Sequence, residues 1–157
     1  SDTLRPMTAP TVAAVMTFKH FIAGEWCEST AGGTFESVNP ADTRDAVGRF
    51  QQGTAADTAM AIKAAETAFP MWQRTPAPKR GEVLYAFGQV MTEHKERLAR
   101  AMTREMGKVL SEARGDVQEG IDTAYYAGSE ARRLFGHTVP SELRNKWAMS
   151  FRRPIRV

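Results

Sequence analysis

Cysteine is nearly missing from this sequence of 157 residues: Cys27 stands alone. One thiol closes no internal disulfide and builds no multi-thiolate metal site. It points to a reducing compartment, and the cytoplasm is the simplest expectation. Long hydrophobic runs are absent too. No stretch approaches the ~18 apolar residues that cross a bilayer, so no membrane partner is expected. The opening SDTLRPMTAPTVAAVMTF has too weak an apolar core for a secretory leader. Glycine (12) and proline (8) are too sparse for a collagen-like or proline-rich chain. Phosphate-cradling patterns are also lacking. There is no G-x-G-x-x-G and no G-x-x-x-x-G-K, and Gly24, Gly32, Gly33 and Gly48 have neither the spacing nor the context. No H-E-x-x-H occurs, and there is no internal repeat.

What is present describes an ordinary globular chain. Hydrophobic residues are 42% and charged residues 25% of the sequence. A mass of 17.4 kDa fits one domain and is enough to bury a core. The net charge of +3 belongs to one end. Arg144, Lys146, Arg152, Arg153 and Arg156 lie close together with no acid among them, and the rest of the chain is slightly acidic. A nucleic-acid binder shows a distributed basic patch or a recognisable module. Five charges in a strand-like tail, without a base-reading motif, give no reason to expect such a partner.

Along the chain, residues 1–19 read as a flexible arm punctuated by Pro6 and Pro10. Phe21 to Trp26 reads as a short hairpin around Gly24. Thr34 to Val38 alternates as a strand that Asn39-Pro40 ends, and Asp45 to Gln51 reads as one more. Thr54 caps a first helix over 55–69, with Asp57 completing a capping box. Its stripe is Ile62, Ala65, Phe69 and Trp72, and Pro70 should end or kink it. A second helix starts near Pro78 or Lys79, with Val83, Leu84, Phe87, Val90 and Met91 along one side. After a turn near 93–95, a third helix carries Leu98, Ala101, Met102 and Met106 up to Gly107 as its cap. A fourth runs over 111–134, with Ala113, Val117, Ile121, Ala124, Gly128, Ala131 and Phe135 as its stripe. Gly120 and Gly128 lie beside that stripe, where close helix contacts would explain them. From Trp147 to Val157 the period becomes that of a strand, with Pro154 marking an edge or a bulge.

The chemistry that these residues offer is thin. His20, His94 and His137 are far apart in sequence and read as solvated or core histidines rather than a metal site. Cys27 has no base or anion-stabilising group near it in sequence and reads as a small half-buried side chain. Glu105-Met106-Gly107-Lys108 brackets a helix end with favourably placed charge. Tyr125 and Tyr126 read as one ring in a groove and one at its rim. Arg132 and Arg133 complement a helix C-terminus. Glu112, Asp116 and Glu119 share one side of the fourth helix, as an exposed acidic face or, alternatively, a cation site. No residue is assigned a catalytic, cofactor-binding or metal-ligating role.

An ordered series of short motifs nevertheless resembles the amino-terminal part of the aldehyde dehydrogenase family. Phe21-Ile22-Ala23-Gly24-Glu25-Trp26 is similar to the family's F-I-x-G-E-W. Phe35 with Val38-Asn39-Pro40-Ala41 is similar to F-x-x-x-N-P-A. Arg80 to Leu84 resembles R-x-x-x-L, and Glu105 to Lys108 with Glu112-Ala113 resembles E-x-G-K-x-x-x-E-A. Tyr125-Tyr126-Ala127-Gly128 and Arg153-Pro154-Ile155 continue the series, which covers residues 21–157.

The resemblance implies an α/β fold of which this chain is an amino-terminal fragment, helix-rich with short antiparallel strands at both ends. It implies an arm over 1–19, strands of an oligomerisation ribbon over 20–53, and a helical part of the nucleotide-binding domain over 54–139. A truncated further oligomerisation strand would occupy 140–157. It also implies oxidation of an aldehyde to a carboxylic acid through a cysteine thiohemiacetal, with NAD or NADP as cofactor of the full-length parent. The family's catalytic cysteine, general-base glutamate, nucleotide motif and oxyanion asparagine match nothing here, so this chain alone is expected to be inactive and to bind no cofactor. Its expected partners are the remainder of the enzyme and identical subunits. Residues near Asp116 resemble a region close to a cation site. Arg156 stands where the family usually has glycine, which suggests an altered end, a damaged gene product or a deliberate truncation. The alternative is a truncated, non-catalytic helical interaction or oligomerisation module.

Overall fold

The computed structural model describes residues 15–155 and 157. Eleven elements follow one another: β1 (Thr17–Phe18), β2 (His20–Ile22), β3 (Glu25–Cys27), β4 (Thr34–Asn39), β5 (Asp42–Gln51), α1 (Ala55–Arg74), α2 (Ala77–Glu93), α3 (Lys95–Met106), α4 (Leu110–Glu130), β6 (Thr138–Pro140) and β7 (Trp147–Met149). The sequence-level arm falls mostly on residues 1–14, outside the described ones.

β2 and β3 form the hairpin expected around Gly24, with Phe21 opposite Trp26. Ala23 and Gly24 both take positive φ, 55° and 86°, to turn it. β5 is the middle strand of a three-stranded sheet ordered β1-β5-β4. β4 runs antiparallel to it, with irregular register around Val38. β1 pairs parallel to β5, so the strands before the helices are not all antiparallel. Nothing in two residues' alternation could announce that pairing. Phe18, Phe50 and Phe35 stand side by side across the sheet, with ring centroids 5.0 and 5.9 Å apart.

Thr54 caps α1 by the capping box. Pro70 does not stop the helix, which continues to Arg74. A proline withholds one donor, and the turns after it still bond, as in the Thr75 N–H donating to Met71 O at 3.1 Å. α4 ends four residues short of Leu134. The amides of Arg132 and Arg133 donate to Ser129 O and Glu130 O, tightening the last turn until the helix ends.

The core lies among α2, α3 and α4. Ala99, Ala113, Val117 and Ile121 are buried, with Met91, Leu98, Met102 and Leu110 packed around them. The α4 stripe is buried as read, from Ala113 through Gly128. α2 differs. Its buried positions are Gly81 and Gly88, whereas Val83, Phe87 and Val90 are at least half exposed. α2 therefore approaches α4 glycine on glycine: a Cβ on Gly81 would lie 2.6 Å from Gly128 O. Gly88 faces the Tyr125 ring and Gly120 faces Met91, the close contacts expected of these helices. In α3 the buried side is Ala99 with Leu98 and Met102, while Ala101 and Met106 face outward.

Gly107 ends α3 at φ 70° and sits against Pro40 and Ala41 of the β4–β5 turn. Arg104 reinforces that junction. Its Nε donates to Asp45 at 3.0 Å and its Nη2 to Ala46 O at 3.1 Å. Near the end of the chain, strand pairing covers only Thr138–Pro140 with Trp147–Met149. The long strand expected up to Val157 is not seen among the described residues. Its partner is three residues long, and Pro154 has no amide to extend the ladder.

Candidate functional site

Two built places stand out: a buried polar hub and an apolar cavity. The hub joins β3, β5 and α1. The Asp57 carboxylate, 3% exposed, accepts from Thr30 N–H (3.0 Å), Ser29 Oγ (2.7 Å), Thr54 N–H (2.8 Å) and Thr54 Oγ1 (2.9 Å). Gln51 extends the network, accepting from Ser29 N–H and donating to Phe18 O. The Thr30 amide, then Ser29 and the Thr54 amide, hold the Asp57 carboxyl well below the usual carboxylate range, against the opposing effect of burial. Every donor comes from this chain. Asp57 also lines a cavity of about 220 Å3 together with His20, Gly53 and Thr58.

The cavity, of about 280 Å3, lies between the end of α1, the first turns of α2 and the last turns of α4. Trp72, Leu84, Ala131 and Leu134 give it apolar walls. Gly81 lines it, and the close approach of Gly81 to Gly128 brings the two helices together beside it. Arg80 lines it with its guanidinium carbon 5.9 Å from the centre of the Trp72 ring. The Arg80 Nε is buried without a partner. Glu130, also in the lining, is held by Arg133 at 2.8 Å.

Other apolar side chains are exposed along the chain. Ile62, Val83, Phe87 and Val90 on the helices, and Trp147, Met149, Phe151 and Ile155 near the end of the chain, are all at least half exposed. The accessible surface is 12771 Å2, where a compact monomer of this mass exposes about 7,900 Å2. Granting the undescribed residues full extended-chain exposure still leaves an excess of roughly 3,000 Å2.

The residues singled out from sequence do not converge. Among the described residues, no group of three His, Cys, Asp or Glu side chains is placed to hold a metal ion. Cys27 is half-buried in β3, and the ladder sets it opposite His20, a neighbour that sequence distance hides. No hydrogen bond joins the two. Lys108 reaches Asp116, whose carboxylate pushes the lysine up from its ordinary pKa, with Glu112 adding to it. Tyr125 packs on Tyr85 at 6.1 Å, but it is exposed, as is Tyr126, so neither ring is buried in a groove. Arg133 pairs with Glu130 and Ser129. Sequence reading missed the Ser29 and Gln51 arms of the hub and the meeting of Arg80 with Trp72. Only the Thr54–Asp57 spacing pointed to the former, and nothing local pointed to the latter.

Comparison with known proteins gives this arrangement its context. The profile described as "Aldehyde dehydrogenase family" matches residues 26–157. A malonate-semialdehyde dehydrogenase of Listeria monocytogenes is 38% identical over 146 residues, 93% of this chain and 30% of its own length. The solved structure of a salicylaldehyde dehydrogenase from Pseudomonas putida G7, complexed with salicylaldehyde, superposes with a TM-score of 0.84 at 26% identity, over 89% of this chain and 29% of that one. A 3,6-anhydro-L-galactose dehydrogenase in complex with NAP gives 0.78 at 31% identity, over 85% and 28%. The chain thus spans about three-tenths of the length of the relatives it matches, and its mixed α/β fold is theirs over that span. By profile, sequence and fold, it belongs to the aldehyde dehydrogenase family.

Proposed function

We propose that these 157 residues serve as the amino-terminal part of an NAD(P)-dependent aldehyde dehydrogenase, which oxidises an aldehyde to a carboxylic acid through a cysteine thiohemiacetal. In this reading the chain by itself is inactive. The cytoplasm is its place, and its partners are the remainder of the enzyme and identical subunits. Residues 20–53 and 140–157 belong to an oligomerisation ribbon, and residues 54–139 to the helical layer of the nucleotide-binding domain.

One observation carries the reading: a family member with roughly 3,000 Å2 of surplus surface and exposed apolar side chains along its helices. Helices expose such faces when a further layer is meant to cover them. The role in this chain is structural positioning. α4 supplies the buried stripe, α2 and α3 pack on it, and Gly107 with Arg104 ties the helices to the β4–β5 turn. Cys27 is not offered as the nucleophile, because no base is bonded to it.

No dinucleotide site is proposed in the first two helices. Phosphate needs free amides at a helix N-terminus. The start of α1 is capped by its own Asp57 and Thr54, and the first turn of α2 contains Pro78, which has no amide proton to offer. The starts of α1 and α2 are therefore assigned no cofactor chemistry. The test is direct. The purified 17.4 kDa protein, given an aldehyde and NAD or NADP, should form no reduced nicotinamide above the enzyme-free rate. Aldehyde-dependent turnover by material of verified mass would overturn the inactivity of the chain.

A further inference from the structure

We propose that the cavity between α1, α2 and α4 is a seat for a polypeptide segment that inserts one apolar side chain and brings a carboxylate to Arg80. The walls formed by Trp72, Leu84 and Leu134 are apolar, so the inserted group must be apolar. Arg80 lines the same space half-buried, with no ion pair or side-chain hydrogen bond among the described residues. A cation withdrawn from full hydration needs an anion. The Trp72 face, 5.9 Å away, supplies only part of that compensation. Glu130 does not supply the rest, because Arg133 engages it. Arg80 therefore lines the seat with its guanidinium unpaired, in a planar donor fork that suits a carboxylate.

Size and continuity favour polypeptide over a free small molecule. A cavity of about 280 Å3 is at the small end for a ligand site. Val83 lines it and also begins the exposed Val83–Phe87–Val90 stripe of α2. A segment lying along α2 covers both, whereas a small carboxylate leaves the stripe in water. The occupant rests on the reading above that further polypeptide covers these faces. The experiment measures binding alone, so failure of the catalytic reading would leave it standing.

The probe is acetyl-Ala-Ala-Ala-Ala-Leu as the free acid. Its C-terminal amide is the neutral twin, and N-acetyl-leucine is the small-molecule counterpart. Binding to the 157-residue protein is read by Trp72 fluorescence in a Trp26→Phe, Trp147→Phe background, and by thermal shift. The acid peptide should give a saturable change, the amide should bind about 10-fold more weakly, and N-acetyl-leucine should be weaker than the acid peptide. Arg80→Gln should abolish the preference for acid over amide. Leu134→Glu, at a half-exposed wall position, should do the same without touching Arg80. Absence of a saturable change, equal binding of acid and amide, or a preference surviving in both variants would overturn the seat. N-acetyl-leucine binding as tightly as the acid peptide would overturn the polypeptide occupant in favour of a free carboxylate.

Discussion

Asp57 shows how one residue can hold two substructures together. It caps α1, and through Ser29 and Thr30 it also pins the segment after β3. Because its folded pKa is depressed, the stability it contributes is fully present above the unfolded value of about 3.9. That contribution is lost as pH falls from there through the folded pKa. Asp45, lowered by Arg104, and Glu96, lowered by Arg114, act in the same direction. Melts of the wild type should therefore fall in midpoint below about pH 4. Asp57→Asn should lower the midpoint at pH 7 by several degrees, since an amide places two donors among donors. It should also flatten the decline below about pH 4. An unchanged acid profile would show that the hub does not contribute as described. Gly107 is the second such residue. Gly107→Ala meets a left-handed backbone, worth about 1–2 kcal/mol, and its Cβ would lie 2.9 Å from Pro40 Cγ. Equilibrium urea unfolding should show a loss at least that large.

At the scale of elements, the closeness of α2 and α4 depends on missing side chains. Gly81→Ala would drive a methyl to 2.6 Å from Gly128 O and 2.8 Å from Ala131 Cβ. The helices must part, at a cost of about 1–3 kcal/mol. Gly115, on the same α4, has nothing within 4 Å of its would-be Cβ. Gly115→Ala should instead stabilise the protein by up to about 1 kcal/mol through helix propensity. The opposite signs of the two substitutions, measured side by side by denaturant unfolding, test the packing and exclude a general glycine effect. The α4 stripe was legible because its 3.6-residue period is continuous and one-sided. The α2 face was not. Apolar side chains mark its outward side, and glycines, which carry no hydrophobic signal, mark the buried one. The capping box of α1 was legible for the opposite reason, because both partners lie within four residues.

For the whole molecule, surplus surface predicts behaviour in solution. Apolar faces of this extent favour association and a loosely cooperative fold. Static light scattering should show self-association rising with concentration, and the melting midpoint should depend on protein concentration. A concentration-independent monomer with a sharp high-temperature melt would contradict the account of uncovered faces. No described helix is long and apolar enough to cross a membrane.

The sequence by itself determined what depends on near neighbours and on order. Caps, turns, the α4 period and the family's ordered motifs are set by side chains a few residues apart, or by a pattern repeated along the chain. Only the tertiary structure decided what distant segments do when they meet. It brought β1 beside β5, His20 opposite Cys27, Ser29 onto Asp57 and Arg80 over Trp72. It also decided which side of α2 is inside. Such pairings carry no local signature, because their energy comes from burial and hydrogen bonds that exist only after the chain has folded back on itself.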